Sequence, residues 1–414
     1  MRYAPIGEHR IDRFDGDDIE RYVVSAAFGR TWFLSAGAVD LLRAAAPGGS
    51  ADDVAERLGS TLGRAVDPIE VVRALKTSLV EVGLLHLESD ATPDHGRGSP
   101  LAFQVSLIPA PAVQWICRWL LWMVPEGKAF WLATTCAVAS AFGAVALLAR
   151  VDSSASSGSI GIWAFALMVV STLIHELGHA TACAKSGARS GHIGFGIYWY
   201  FPVLYTSLDE VWRLPRWERA RVDAAGVLFQ ATFVLAVALV VLAMPGQAGF
   251  LRGLPALFIT SISFTLNPFL RFDGYWLLSD LSGIPNLRAE SIAALRDAIG
   301  RRSEATDRLD RAQAARGPRV RQALAVYGAS GVVIAGILAV TGLRVLTTWM
   351  ERAGYQRLWL AGGDVVTALA TGALLPAALS TLTVFEFAVP AILGVLLLVG
   401  SIRTTRQFIR QLSA

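Results

Sequence analysis

Charged side chains are scarce in this chain: Asp, Glu, Lys and Arg fill 17% of its 414 positions, where soluble globular proteins carry about 25%. The shortage is uneven. Charges crowd the first hundred residues and a few later connections, with long apolar blocks between them. That profile argues against an ordinary soluble enzyme and for a polytopic membrane protein with one soluble domain. Cysteine is rarer still. The three present, Cys117, Cys136 and Cys183, all lie in or near apolar segments, so no disulfide framework and no Cys-based zinc site is expected. The first eighteen residues, MRYAPIGEHRIDRFDGDD, are polar and acidic, so no cleavable signal peptide is expected. The net charge of +4 reads as loop bias in a membrane protein, not as nucleic-acid binding.

Apolar runs near 129–149, 160–182, 224–244, 253–271, 322–343 and within 365–401 reach the length of about twenty residues that a crossing needs. The fold class expected is therefore mostly α, with about six membrane helices. The stretch 101–125 is broken by prolines and Arg118 and carries Trp115, Trp119 and Trp122, which predicts an interfacial helix. Basic residues concentrate in 185–221, in 285–321 and in the tail at Arg403, Arg406 and Arg410. With six crossings these regions share one side, and the positive-inside rule makes it the cytoplasm, with both termini there. The connection 344–363 is also basic. A seventh crossing would put the tail outside, so 365–401 is read as one span preceded by a half-buried segment.

Residues 17–88 read as a small α+β domain. Tyr22–Ser25 and Thr31–Leu34 predict two strands around Phe28-Gly29-Arg30. Ser35 and Ser50 are helix N-cap candidates, the latter with Asp53 three positions on. Asp67-Pro68 with Glu70 is a third start signal, and Gly83 a stop. A hairpin followed by three short helices is winged-helix-like. This order, with the phrase GRTWFLS…A…LL…GLL, resembles PqqD-like domains, which bind the leaders of ribosomally made peptides as an added strand. An exposed edge at Tyr22–Ser25 would serve that purpose. A plain cytosolic cap is the bland alternative. A DNA-binding winged helix would need a basic face, and here acids and bases are mixed. Residues 89–100 are a linker, and 101–414 form the membrane domain.

The second apolar run ends in His175-Glu176-x-x-His179. On a helix, histidines at i and i+4 share a face and can hold one zinc ion. Ionisable groups in such a run are costly unless partnered, and a metal is such a partner. The fourth run ends in Asn267-Pro268 and then Asp273-Gly274. Second and fourth crossings run in the same direction, so Asp273 should reach the depth of the two histidines. Two histidines, one carboxylate and an open position make a catalytic zinc site.

Together these motifs resemble the site-2 protease family of intramembrane zinc metalloproteases, over about residues 160–280. The resemblance implies His175, His179 and Asp273 as Zn2+ ligands, Glu176 as the catalytic base and Asn267 as a polar group lining the site. Pro202–Tyr205 and Ala225-Gly226 also look like features of that family. Arg271-Phe272 and Gln230 depart from it, and no PDZ-like domain is inserted. It implies a zinc metalloendopeptidase of the plasma membrane. With a PqqD-like domain attached, its substrate would be the leader of a ribosomally synthesised modified peptide, such as a daptide-like precursor. Two rivals stand beside this: regulated proteolysis of a membrane signalling protein, and a non-proteolytic export or immunity protein on the same scaffold. An intact Glu176 argues against the last.

The Gly191–Tyr205 segment has period-2 aromatic and Gly character, which fits either a re-entrant hairpin or an interfacial anchor. Cys183 reads as helix packing, His192 as a loop histidine, Asp209 and Glu210 as solvent-facing. His9, His86 and His95 read as surface groups, and Glu386 is left open between a polar interior and the interface.

Overall fold

The computed structural model describes residues 2–5, 9–15, 21–26, 31–80, 84–87, 101–151, 162–198, 201–244, 254–284, 286–300, 317–352 and 354–413. Among these residues the chain is mostly helical, and a small α+β region occupies its N-terminal end. The expected linker, with His95, lies outside them, as do Phe28-Gly29-Arg30, Gly83, the connection 245–252 and residues 301–316 of the basic connection 285–321.

The N-terminal region holds two three-stranded antiparallel sheets. One is ordered β5-β1-β6, from β1 (Arg2–Pro5), β5 (Gly49–Ser50) and β6 (Leu85–Leu87). The other is ordered β2-β3-β4, from β2 (His9–Arg13), β3 (Arg21–Ala26) and β4 (Thr31–Ser35). The two strands expected from sequence are β3 and β4, and β1 and β2 were missed. This changes one expectation. β3 is the central strand, paired with β2 from Ala26 to Tyr22 and with β4 from Arg21 to Ser25, so Tyr22–Ser25 offers no free edge.

The caps act as their chemistry requires. Ser35 accepts from the amide of Ala38 at the start of α1 (Ala36–Ala45), and Ser50 forms a reciprocal box with Asp53 at the start of α2 (Ala51–Leu62). Asp67 caps α3 (Pro68–Leu75). Val39, Leu42, Val54, Leu75 and Leu79 close over the inner face of β3 at Val24.

The stretch expected to be an interfacial helix divides in two. Its first part is β7 (Leu101–Ile108), and only then does α4 (Ala110–Leu120) begin. The alternation Phe103, Gln104, Val105, Ser106, Leu107 was the strand signal. Trp115, Trp119 and Trp122 are exposed, as an interfacial face requires. β7 pairs with β8 (Ile193–Tyr198), which forms a hairpin with β9 (Phe201–Thr206), so the Gly191–Tyr205 segment is a β-hairpin in a sheet ordered β7-β8-β9.

Among the described residues four helices are long and apolar enough to cross a bilayer: α5 (Gly127–Val151), α6 (Ile162–Lys185), α7 (Arg216–Ala243) and α11 (Pro318–Glu351). Val326, Val333, Ile337, Val340 and Leu343 of α11 are exposed, a surface that costs free energy in water and none in hydrocarbon. α7 is the hub. α5, α6 and α9 (Asp273–Ser282) pack against it, and it is buried almost continuously from Arg219 to Ala231.

Two expected spans differ. The run 253–271 is helical only as α8 (Leu254–Thr265). Asn267-Pro268 then ends it, because proline has no amide to continue the ladder and Asn267 Oδ1 accepts from the amide of Phe269 at 2.9 Å. Asp273 therefore opens α9 instead of closing a membrane helix. After α10 (Leu287–Ala298) and α11, the expected loop 344–363 is mostly helix: α11 runs to Glu351 and α12 (Gly354–Ala370) follows almost at once. The block 365–401 is divided at Gly372, whose φ of 71° ends α12, and α13 (Leu374–Ser413) runs on for 40 residues.

A candidate metal centre between three helices

His175 and His179 project from α6 toward α7, and the turn after α8 brings Asp273 beside them. His175 Nε2 lies 2.7 Å from Asp273 Oδ2 and 3.0 Å from His179 Nε2, and His179 Nε2 lies 3.2 Å from the same carboxylate oxygen. The two rings meet edge to face, with centroids 4.6 Å apart. Both histidines are buried. Sequence spacing predicted the pair, and the fold brings Asp273 to it across 98 residues.

Glycines make the approach possible. A methyl group on Gly178 would stand 2.5 Å from the carbonyl oxygen of Ala225, so α6 and α7 cross with their backbones nearly touching. One on Gly226 would stand 2.5 Å from His179 Nε2 and 2.7 Å from His175 Nε2. The Ala225-Gly226 pair thus leaves the space into which both ligand nitrogens point. Gly274 lies against the carbonyl of Leu266, which lets α9 start beneath the end of α8.

The donor set suits a divalent metal. His179 Nδ1 donates to the carbonyl oxygen of Val222 at 2.8 Å, so the lone pair sits on Nε2, the atom facing His175 and Asp273. Two neutral imidazoles cannot hold their Nε2 lone pairs 3.0 Å apart without a proton or a cation between them. Bonds of about 2.0–2.1 Å to a tetrahedral zinc put its ligand atoms roughly 3.3 Å apart, close to the 3.0 and 3.2 Å separations here, while His175 and Asp273 at 2.7 Å stand at direct hydrogen-bond distance. No other cluster of three such ligands occurs among the described residues. His175 Nδ1 is buried and meets no acceptor among them, so the second imidazole is held by packing and by the contacts of its Nε2.

Glu176 is not one of the three clustered ligand groups. Its Oε2 accepts from Thr206 Oγ1 at 2.8 Å, and the same hydroxyl lies 3.0 Å from the Glu176 carbonyl. Thr206 ends β9, so the hairpin is anchored to α6 beside the candidate base. Sequence reasoning missed Thr206, as it missed Val222, since neither carries a motif. Asn267 is half-buried, and its Oδ1 serves the turn described above. Gln230 donates to Ser261 Oγ at 3.2 Å and ties α7 to α8.

Beneath the triad lies a second polar layer. Arg219, 1% exposed, donates through Nε to Asp280 Oδ1 at 2.7 Å. The Asp223 carboxyl of α7 lies beside that of Asp280. Burial pushes the Asp280 carboxyl up, and the Arg219 guanidinium beside it pulls the other way.

The remaining residues singled out in the sequence lie elsewhere. Cys183 is buried in the core with Phe130 and Val222, as expected of a packing residue. His192 hydrogen-bonds Tyr205 Oη at 3.0 Å across the hairpin. Asp209 accepts from Ser207, and Glu210 from the amide of Arg189. His9 and His86 sit in β2 and β6, and the side chain of Glu386 lies outside the described residues.

Comparison of the chain with models of known protein families, with curated proteins and with solved structures finds no match.

Proposed function

We propose that the chain is a zinc-dependent endopeptidase embedded in the plasma membrane, of the site-2 protease kind. The observation that carries this is one cluster: His175, His179 and Asp273 with ligand atoms within 4.8 Å of one another, and Glu176 next to them in sequence on a separate hydrogen bond. When bound, the metal would lower the pKa of its water and polarise a substrate carbonyl. His175, His179 and Asp273 would hold it, leaving one position open.

The other steps belong to the protein. Glu176, free of the ligand cluster, takes a proton from the attacking water and delivers it to the leaving amine. The water oxygen joins the carbonyl carbon as the C–N bond breaks. Thr206 keeps the carboxylate of Glu176 aimed. Asn267, with its Oδ1 engaged by Phe269, has its amide N–H groups left for a substrate carbonyl.

A peptide in a membrane helix has its hydrogen bonds satisfied internally and must unwind before it can be cut. The outer edge of β9 has no strand paired to it among the described residues, and β9 ends at Thr206 against Glu176. An unwound peptide adding to that edge exchanges helical hydrogen bonds for sheet bonds and passes the base.

The N-terminal region contacts Arg213, Arg216 and Arg219, so it lies on the side of that basic connection. The positive-inside rule makes this side cytoplasmic, where a leader peptide would arrive. Since β3 is covered on both sides, strand addition by a leader would use the outer edge of β2 or β4. The substrate class that fits is the leader of a ribosomally made peptide.

The deciding experiment combines elemental analysis with proteolysis. Purified protein should hold one equivalent of zinc and cut a co-expressed precursor peptide encoded nearby, seen by mass spectrometry. Glu176→Gln should keep the zinc and lose the cut. Full turnover by this variant would end the proposal.

A further inference from the structure

Arg219 is an unusual residue to find 1% exposed, because a buried guanidinium must have its donors and its charge satisfied. Here the partners come from three places. Nε goes to Asp280 of α9, Nη1 to the carbonyl of Leu214 at 2.9 Å, and Nη2 to the carbonyl of Asp15 at 2.9 Å. The last belongs to the N-terminal region. The Phe14 ring, itself buried, covers the guanidinium at 4.4 Å.

The contact continues on both sides. Asp12 pairs with Arg213 at 2.9 Å, and the Asp15 carboxylate accepts from the Arg216 amide at 3.0 Å, at the first residue of α7. A run of edge-to-face rings, Phe14 to Phe33 to Trp212 to Trp276, joins the β2-β3-β4 sheet to α9 with centroids 5.1, 5.3 and 5.5 Å apart.

Both helices under this contact carry parts of the metal centre. Arg219 is one turn before Val222, whose carbonyl orients His179. Asp280 is two turns after Asp273 on the same face of α9, and Trp276 is one turn after it. The Arg219–Asp280 pair is therefore a rung between α7 and α9 below the triad. The N-terminal region supplies one of its three hydrogen-bond acceptors and its only covering ring among the described residues.

We propose that Arg219 is a positioning residue for the metal centre, and that docking of the N-terminal domain through Phe14 and Asp15 completes it. Undocking leaves the guanidinium short of an acceptor and opens it to water. The rung to Asp280 then loosens, and Asp273 loses its fixed position relative to His179. Linkage makes the effect reciprocal: metal at the triad tightens docking by the factor by which docking tightens metal. A ligand of the N-terminal domain can thus change activity without touching the site.

This rests on the zinc reading above, and the test separates the two. Full-length protein in detergent is titrated with a chromophoric chelator to measure zinc affinity, with thermal unfolding and kcat and KM measured alongside. Phe14→Ala removes the covering ring and should weaken zinc binding about 3- to 10-fold, lowering kcat more than it raises KM. Phe14→Tyr keeps a π face and should restore both. Arg219→Lys keeps the charge but cannot meet three separated acceptors, and should cost about 10- to 100-fold in zinc affinity. Should that variant not fold, Phe14→Ala decides alone. Wild-type zinc affinity in Phe14→Ala would overturn the positioning role and leave the zinc reading standing. A wild-type protein without zinc would overturn both.

Discussion

The carbonyl oxygen of Val222 accepts from His179 Nδ1 at 2.8 Å, and that contact sets which nitrogen of the imidazole is available to a metal. The acceptor is main chain, so replacing the Val222 side chain would not remove it. What can disturb it is the helix that carries it, and the glycines at the α6–α7 crossing fix where that helix runs.

Gly226→Ala places a methyl group 2.5 Å from His179 Nε2, where the ligand atoms converge. The imidazole must swing away, and zinc content of the purified variant should fall by at least about tenfold in affinity, the scale of losing an orienting contact. Gly143→Ala on α5, where a methyl group meets nothing within 4 Å, is the matched control and should bind zinc normally.

Gly178→Ala sets two effects against each other. Alanine gains about 1 kcal/mol of helix propensity over glycine, while overpacking costs typically 1–3 kcal/mol. The clash is with backbone at 2.5 Å, which cannot turn aside, so the cost wins. Thermal unfolding in detergent should show a lower midpoint, and an unchanged or higher one would mean that α6 and α7 can part without penalty.

Thr206→Val deletes the hydroxyl that holds Glu176 while keeping the side-chain shape. A hydrogen bond to a charged group contributes about 1.5–3 kcal/mol, so cleavage should drop roughly 10- to 100-fold. Zinc should stay, because Thr206 touches no ligand, and Thr206→Ser should recover most of the rate. Parallel loss of zinc and activity would show that Thr206 supports the ligands instead.

Removal of the metal should be reversible. A strong zinc chelator should abolish cleavage, and zinc should restore it where magnesium does not, since two imidazoles and one carboxylate suit zinc and not a hard cation that prefers oxygen. Cleavage that survives exhaustive chelation would require another mechanism.

Much of this site could be read from the sequence because it depends on short-range spacing. His175 and His179 share a face whenever 171–180 is helical, and the cap signals at Ser35, Ser50 and Asp67 are local in the same way. Hydropathy likewise marked the four helices able to cross a bilayer among the described residues, since burying apolar surface needs no particular partner. The ends of elements were harder. Asn267-Pro268 ends α8 early and Gly372 splits the last block, both by backbone effects that an apolar window averages out. β7 was lost for a similar reason: its alternation is plain, but the strand has meaning only beside a hairpin some ninety residues later.

What the sequence by itself determined was the inventory: an HExxH helix, a distant Asp-Gly after Asn-Pro, fewer charges than soluble proteins ordinarily carry, and a small α+β region in front. Only the tertiary structure decided that Thr206 holds Glu176, that Val222 orients His179, that β3 is covered on both sides, and that Phe14 caps Arg219. The contacts of Thr206, Val222 and Phe14 join residues far apart in the chain, and the one at Val222 runs through a main-chain carbonyl that any residue type would supply. Side-chain identity carries no mark of such a partner, and it becomes visible only when the helices are packed.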